Sequence, residues 1–391
     1  MTKYFCKKMQ KNFIFLAYVR KKQYLCTQIK RNMAIEFKSA DVQRAHEWIA
    51  QARHIVISTH MAPDGDAMGS ALGLFNWLSA FSNQHSVNVL VPNAFPKFYQ
   101  WMPGAEEITV YETDANRCNE LITNADLFIC TDFNDPKRIG PIGEKLVAAT
   151  APKILIDHHP NPTDFADIVF SFPEACSASE IVYRFITEDR FAERAKTADA
   201  ERPLTLKDVA TCIYTGLMTD TGNFSFNSTN CDLYEIIAEL IRAGIKKDEI
   251  YNAVYNQYST DRVRLTGYAL YRKMRIYPEY HLSLITLSAD ELDQYHYQPG
   301  DTEGLVNMPL QISDVYYSVY MREERPKPGT PKPRIRISFR SQGDRPVNIW
   351  ASEVFNGGGH MNASGGELFG SLNQAVQLFE KSFPKYIKAK G

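Results

Sequence analysis

No apolar run in this 391-residue chain approaches the 18 or more residues of a membrane-spanning helix, so a transmembrane helix is excluded. No C-x-x-C occurs, and the seven cysteines are odd in number and scattered. That pattern excludes a disulfide framework and a thiolate zinc site, and predicts reduced core thiols in a reducing compartment, the cytoplasm. There are no internal repeats. The first 32 residues contain no Asp or Glu and nine Lys or Arg. Setting those nine charges against the net charge of −1 leaves −10 for the remainder. An acidic body argues against a surface that coats long nucleic acids. Asn12 to Val19 is apolar, but Arg20-Lys21-Lys22 follows at once and no small-x-small cleavage site appears, so it does not read as a signal peptide. Residues 1–35 are expected to be a basic extension, disordered or preceding a working start at Met33.

The rest is rich in order signals. With 44% apolar and 23% charged residues, the chain has room for two globular domains. Residues 40–53 read as a helix. Short β-branched runs at 54–58, 87–91, 126–131 and 153–156 read as strands separated by helical patterns. Strands alternating with helices predict an α/β fold, a parallel sheet flanked by helices. Helical patterns follow at 181–186, 206–218 and 231–244, and a charged excursion at 187–202 lies between the first two. The first domain is taken as 36–245, a helical connector as 246–279, and a smaller mixed α/β domain as 280–388. In the latter, 281–287, 315–321 and 334–340 alternate like strands, and Pro-rich 325–333 reads as a hairpin tip.

Polar clusters appear where the apolar runs of the first domain stop. His60-x-x-Pro63-Asp64-Gly65-Asp66 follows the first strand, Asp132 the third, and Asp157-His158-His159 the fourth. Asp220 closes the helix at 206–218, just before Gly222. The carboxyl ends of strands in one parallel sheet share an edge, where ligand crevices form. His60, Asp64, Asp66, Asp132, His158 and Asp220 are therefore expected to converge. Four carboxylates and two imidazoles without thiolate suit manganese or magnesium. The set matches two ions about 3.5–4 Å apart sharing one carboxylate, the arrangement that drives phosphate displacement. Asp157 would hold an imidazole in one tautomer. His159 would touch substrate phosphate or protonate the leaving oxygen. The plainer alternative for Asp64 is an Asp-Gly turn capping a helix. Ser177 or Ser179 is expected to cap the helix at 181–186, whose amino end could also accept an anion.

In the second domain, Gly357-Gly358-Gly359-His360 reads as a loop whose backbone N–H groups can approach an anion. Arg334, Arg336 and Arg340 alternate with Ile335, Ile337 and Phe339, which makes one strand face basic.

Together these motifs resemble the DHH phosphoesterase family over residues 36–388. The resemblance rests on His60-x-x-Pro63-Asp64-Gly65-Asp66-Ala67-x-Gly69-Ser70, on Asp132, on Asp157-His158-His159, on Thr219-Asp220-Thr221-Gly222, and on Gly357-Gly358-Gly359-His360-x-Asn362-Ala363-Ser364-Gly365-Gly366. The last run resembles the substrate domain of the branch containing nano-RNases and pAp phosphatases. The resemblance implies two divalent ions, usually manganese. It places His60, Asp64 and Asp132 on one, and Asp66, Asp132, His158 and Asp220 on the other, with Asp132 bridging. It implies a cleft between the domains in which Arg340, Gly357, Gly358, Gly359 and His360 hold phosphate or nucleotide. Cys176-Ser177-Ala178-Ser179 departs from the Ser/Thr-rich run of many relatives, so no phosphate contact is assigned there.

The implied activity is hydrolysis of short oligoribonucleotides, and of 3′-phosphoadenosine 5′-phosphate (pAp) to AMP. Alternatives are a cyclic or linear dinucleotide phosphodiesterase and a nucleotide-binding sensor without catalysis. Expected partners are short single-stranded RNA or nucleotides and a second copy of the chain, with no membrane.

Overall fold

The computed structural model describes residues 35–81, 85–188, 206–326 and 332–387. The basic extension falls almost wholly outside them, as do most of the charged excursion and the tip of the Pro-rich loop.

The first unit runs α1 (Ser39–Gln51), β1 (His54–Ser58), α2 (Gly65–Phe81), β2 (Ser86–Val91), β3 (Thr109–Val110), α3 (Ala115–Asn124), β4 (Leu127–Thr131), α4 (Pro141–Ala148), β5 (Lys153–Asp157), β6 (Ile168–Ser171), α5 (Ala178–Thr187), α6 (Leu206–Asp220) and α7 (Cys231–Arg242). All six strands are parallel, in the order β3-β2-β1-β4-β5-β6. The chain therefore winds outward from β1, then returns to β4 and winds the other way. The reversal opens a crevice at the carboxyl ends of β1 and β4.

The strands read as unbroken apolar runs because both sheet faces are covered. Ile55, Ile57, Ile129, Ile154 and Ile156 pack on one side with residues of α1, α2, α5 and α6. Val56, Phe128, Cys130 and Leu155 alternate onto the other side, against Cys118 and Ile122 of α3 and Ile142 and Leu146 of α4. Each such buried aliphatic side chain contributes about 1.5–3 kcal/mol. Helices α2 and α6 meet at Gly69, where a Cβ would stand 2.7 Å from the Cys212 carbonyl oxygen and 2.8 Å from the Gly216 nitrogen.

The second unit follows α8 (Lys247–Tyr255), α9 (Thr260–Tyr268) and a π turn (Ala269–Lys273). Its elements are β7 (Arg275–Tyr277), β8 (Leu282–Leu287), α10 (Ala289–Gln294), β9 (Tyr317–Glu324), β10 (Arg334–Ser341), α11 (Asn348–Val354), β11 (Gly358–His360), β12 (Ala363–Phe369) and α12 (Leu372–Tyr386). The sheet order is β11-β12-β10-β9-β8-β7, antiparallel except for β8 against β9.

Two sequence expectations change here. The sheet begins at Arg275, inside the expected connector, because β7 pairs with β8. β7 is three largely exposed residues with no apolar alternation to reveal it. The glycine run is also no loop: Gly358–His360 pairs with Ala363–Ser364–Gly365 as a hairpin. Ile335, Ile337 and Phe339 of β10 bury against Trp350 of α11 and Phe379 of α12. The arginines consequently lie on the opposite face of β10, and Arg340 among them comes within electrostatic reach of Asp220 and Asp64 of the first unit.

Candidate metal centre

The predicted ligands converge at the crevice. Asp132 follows β4 with φ +62°, a left-handed conformation that a non-glycine residue adopts at some cost. Its backbone N–H donates to the Ile156 carbonyl, which fixes the turn. One carboxylate oxygen, Oδ2, lies 3.3 Å from His60 Nε2, and the other, Oδ1, lies 3.4 Å from His158 Nε2. His60 Nε2 is 3.7 Å from Asp64 Oδ1. His158 Nε2 is 3.7 Å from both Asp66 Oδ2 and Asp220 Oδ2. Among the described residues four groups bring donor atoms within 4.8 Å of one another: His60–Asp64–Asp132 and Asp66–His158–Asp220, which use the predicted ligands alone, and Asp132–Asp157–His159 and His158–His159–His360, which overlap them.

These separations exceed a good hydrogen bond. They match donor atoms placed around one cation, since two atoms each about 2.1 Å from an ion stand about 3–4 Å apart. The backbone supports the ligands. Asp64 Oδ1 accepts from Asp66 N and Ala67 N at 3.1 Å each, so the residue caps α2 as well as facing His60. His60 Nδ1 lies 2.9 Å from the Met61 carbonyl; donating there leaves the Nε2 lone pair to face the carboxylates. Asp66 Oδ2 and Oδ1 accept from Ala178 N at 2.6 Å and Ser179 N at 2.9 Å. The amino end of α5 thus does take an anion, but the anion is the chain's own Asp66. Ser177 caps α5 through Glu180 N.

The electrostatics call for cations. Burial, then the charges of Asp132 and Asp220, push the Asp66 carboxyl well above the usual carboxylate range. Burial, opposed by His158 and reinforced by Asp64, raises Asp220 to about 7. Burial disfavours charge on His60, yet Asp132 and Asp64 raise it to about 10, and the same competition raises His158. Asp132 is the counterpart: burial opposes its charge, but His158 and His60 hold it well below the usual range. Without ions, protons gather on the imidazoles to balance crowded carboxylates. Buried Asp132 Oδ1 and His158 Nδ1 also lack hydrogen-bond partners. Oxygen and imidazole donors, an orphaned Asp132 oxygen and excess negative charge fit hard divalent cations.

Asp157, fully buried, lies 2.8 Å through Oδ1 from His159 Nδ1, so it orients that ring rather than His158. Burial and the Arg138 charge hold His159 well below the usual imidazole range, which makes it a neutral ring and ill-suited as a proton donor. The second unit closes over these groups. His360 lies against His158 and His159 at ring-centroid distances of 4.7 and 4.6 Å. Burial and the His158 charge bring His360 to about 4. Arg340 lies within electrostatic reach of Asp220 and Asp64. Arg334 instead is bound by Glu367, so the basic face narrows to Arg336 and Arg340.

The glycines act differently from expectation. Gly357 N–H donates to the Ala351 carbonyl and is not free for an anion. A Cβ on Gly357 would stand 1.9 Å from the Gly365 carbonyl oxygen, so this glycine permits the hairpin that carries His360. Gly358 is exposed with open space above it. Arg138, Gly216 and the pairing of the α5 amides with Asp66 were missed from sequence. Arg138 sits in a polar turn that reads as solvated surface.

Residues 54–217 match the model of the DHH family, N-terminal domain. The chain is 26% identical over 317 residues to the bifunctional oligoribonuclease and PAP phosphatase NrnA of Bacillus subtilis, spanning 81% of this chain and 89% of that protein. It is 24% identical to the cyclic-di-AMP phosphodiesterase GdpP of the same organism over 88% of this chain, but only 49% of that protein. A solved structure, an exopolyphosphatase-related protein from Bacteroides fragilis, is 44% identical, with a TM-score of 0.79 and coverage of 89% of this chain and 97% of that one. With the strand-end ligand sets and the second sheet already in place, these likenesses establish that the chain belongs to the DHH family.

Proposed function

We propose that the protein is a manganese-dependent phosphoesterase that hydrolyses short oligoribonucleotides to mononucleotides and pAp to AMP. One observation carries the reading: the two oxygens of Asp132 face two separate imidazole–carboxylate sets. When bound, a pair of ions supplies an activated water and steadies the attacking and leaving oxygens. His60, Asp64 and Asp132 would hold one, and Asp66, Asp132, His158 and Asp220 the other.

The remaining chemistry belongs to side chains. Arg340 and Arg336 share one face of β10, with Ser338 between them. Opposite Ser338 on β12 is exposed Gly365, which pairs with exposed Gly358 of β11. The glycines leave a side-chain-free shelf between two guanidiniums, suited to a nucleoside flanked by phosphates. His360 would present a ring N–H to the reacting phosphate, and His159, whose Nδ1–H faces Asp157, packs against His360 and crowds water from the site. The similarity to NrnA supports this substrate class.

The match to GdpP along 88% of this chain favours a second reading, hydrolysis of a cyclic dinucleotide. Purified protein with manganese should be offered 5′-phosphorylated ApA, pAp and cyclic di-AMP in parallel. The proposal expects rapid release of AMP from the first two. Turnover confined to cyclic di-AMP would replace it with the second reading, and turnover of none would remove both.

A further inference from the structure

Arg138 has no part in the ligand sets, yet it stands beside them. It lies in the short 3₁₀ turn Pro136–Ile139, six residues after Asp132. Its carbonyl accepts from Met61 N at 2.8 Å, which ties the turn to the loop carrying His60. Its Nη1 is buried and has no hydrogen-bond partner. Among the described residues its guanidinium forms no ion pair. Arginine stays charged in proteins, so a buried N–H without an acceptor is a costly feature that calls for an explanation. Three groups lie within reach of its charge: Asp157, His159 and His360. Arg340 acts on the cluster from the other unit, through Asp220 and Asp64. His360 feels both arginines.

What fits between a guanidinium on one flank, a second opposite, and the stacked His159 and His360 rings is an anionic oxygen with room for several donors. A phosphate offers this; a base carbonyl lacks the charge. We infer that Arg138 holds the reacting phosphate, its Nη1–H donating to a non-bridging oxygen on the His159–His360 side while Arg340 holds the Asp64–Asp220 side. The inference rests on the phosphoesterase reading above. The unpaired donor is then the open half of a contact that substrate completes.

The test compares Arg138→Gln and Arg138→Lys with wild type. Calorimetry measures manganese affinity, then the affinity of the manganese-loaded protein for inorganic phosphate. Kinetics are run on 5′-phosphorylated ApA and on bis(p-nitrophenyl) phosphate, which has a single phosphate. In Arg138→Gln, phosphate affinity and kcat/KM on both diesters should fall by roughly 10- to 100-fold, with manganese affinity unchanged and partial recovery in Arg138→Lys. Unchanged phosphate affinity and kcat/KM overturn the inference. So does a parallel loss of manganese affinity, which would mean that Arg138 acts through Asp157 and the ligand turn. If wild type hydrolyses only the synthetic diester, the nucleotide reading fails while the Arg138 comparison is still decided on that diester. If it hydrolyses neither, phosphate affinity alone decides.

Discussion

Replacing Gly216 with alanine should damage the site far more than the fold. Gly216 lies inside α6, where Gly→Ala ordinarily gains about 1 kcal/mol. Here the added Cβ would stand 1.9 Å from Ser179 Oγ, 2.7 Å from Ser179 Cβ and 2.8 Å from Asp66 Oδ1. Rotating Ser179 relieves the first contact but not the second. Carbon atoms pack at about 3.5–4.0 Å, so α5 or α6 must shift by about 1 Å. Overpacking of this kind costs about 1–3 kcal/mol, leaving a net stability loss of about 0–2 kcal/mol after the helical gain. The functional loss should be larger. Asp66 is fixed by the Ala178 and Ser179 amides, and a displacement of about 1 Å at a reacting centre costs about 100-fold in rate. Gly267→Ala is the control: it lies in α9 with no atom within 4 Å of the new Cβ, and should be neutral or stabilising by about 0.5–1 kcal/mol. Urea unfolding, a manganese binding isotherm and diester hydrolysis measure the three quantities. Gly216→Ala with wild-type activity and manganese affinity would refute the packing argument.

Asp157→Asn should lower the hydrolysis rate by about 10- to 100-fold while leaving manganese content intact, because it loosens His159 and not a ligand. Metal analysis beside kinetics checks this, and loss of bound manganese would contradict it. Gly357→Ala should disrupt the hairpin at Gly365 and raise KM with little change in metal affinity, as seen in kinetics and calorimetry. Ion binding should release protons. The metal-free His60 value of about 10 means that it is protonated at neutral pH, and a ligating imidazole must be neutral. Manganese affinity should therefore rise with pH between about 6 and 9. Calorimetry in buffers of differing ionisation enthalpy measures the protons released, and buffer-independent heats would contradict the assignment.

The strands that carry the site were legible because both faces of the first sheet are covered. Burial on both sides makes β1, β4 and β5 continuous apolar runs, and each run stops at its ligand. Strands without that signature stayed hidden: β3 has two residues, β7 is exposed, and β11 is mostly glycine. Asp64 shows that competing readings can both hold, since its cap on α2 aims it at His60. The Asp66 contact with the α5 amides joins residues 112 and 113 positions apart, a separation no local pattern reports. Arg138 was missed for a similar reason. Its neighbours Pro136 and Lys137 suggest solvent, and only tertiary packing buries its Nη1.

Asp132 is the centre of the account, and counting ions tests it most directly. Manganese should be titrated into wild type and Asp132→Asn and followed by electron paramagnetic resonance. Wild type should bind two ions per chain with the spin coupling of a pair about 3.5–4 Å apart, and Asp132→Asn should lose that coupling and hold at most one ion tightly. A single uncoupled ion in wild type, or an unaltered coupled pair in Asp132→Asn, would contradict a centre bridged by Asp132.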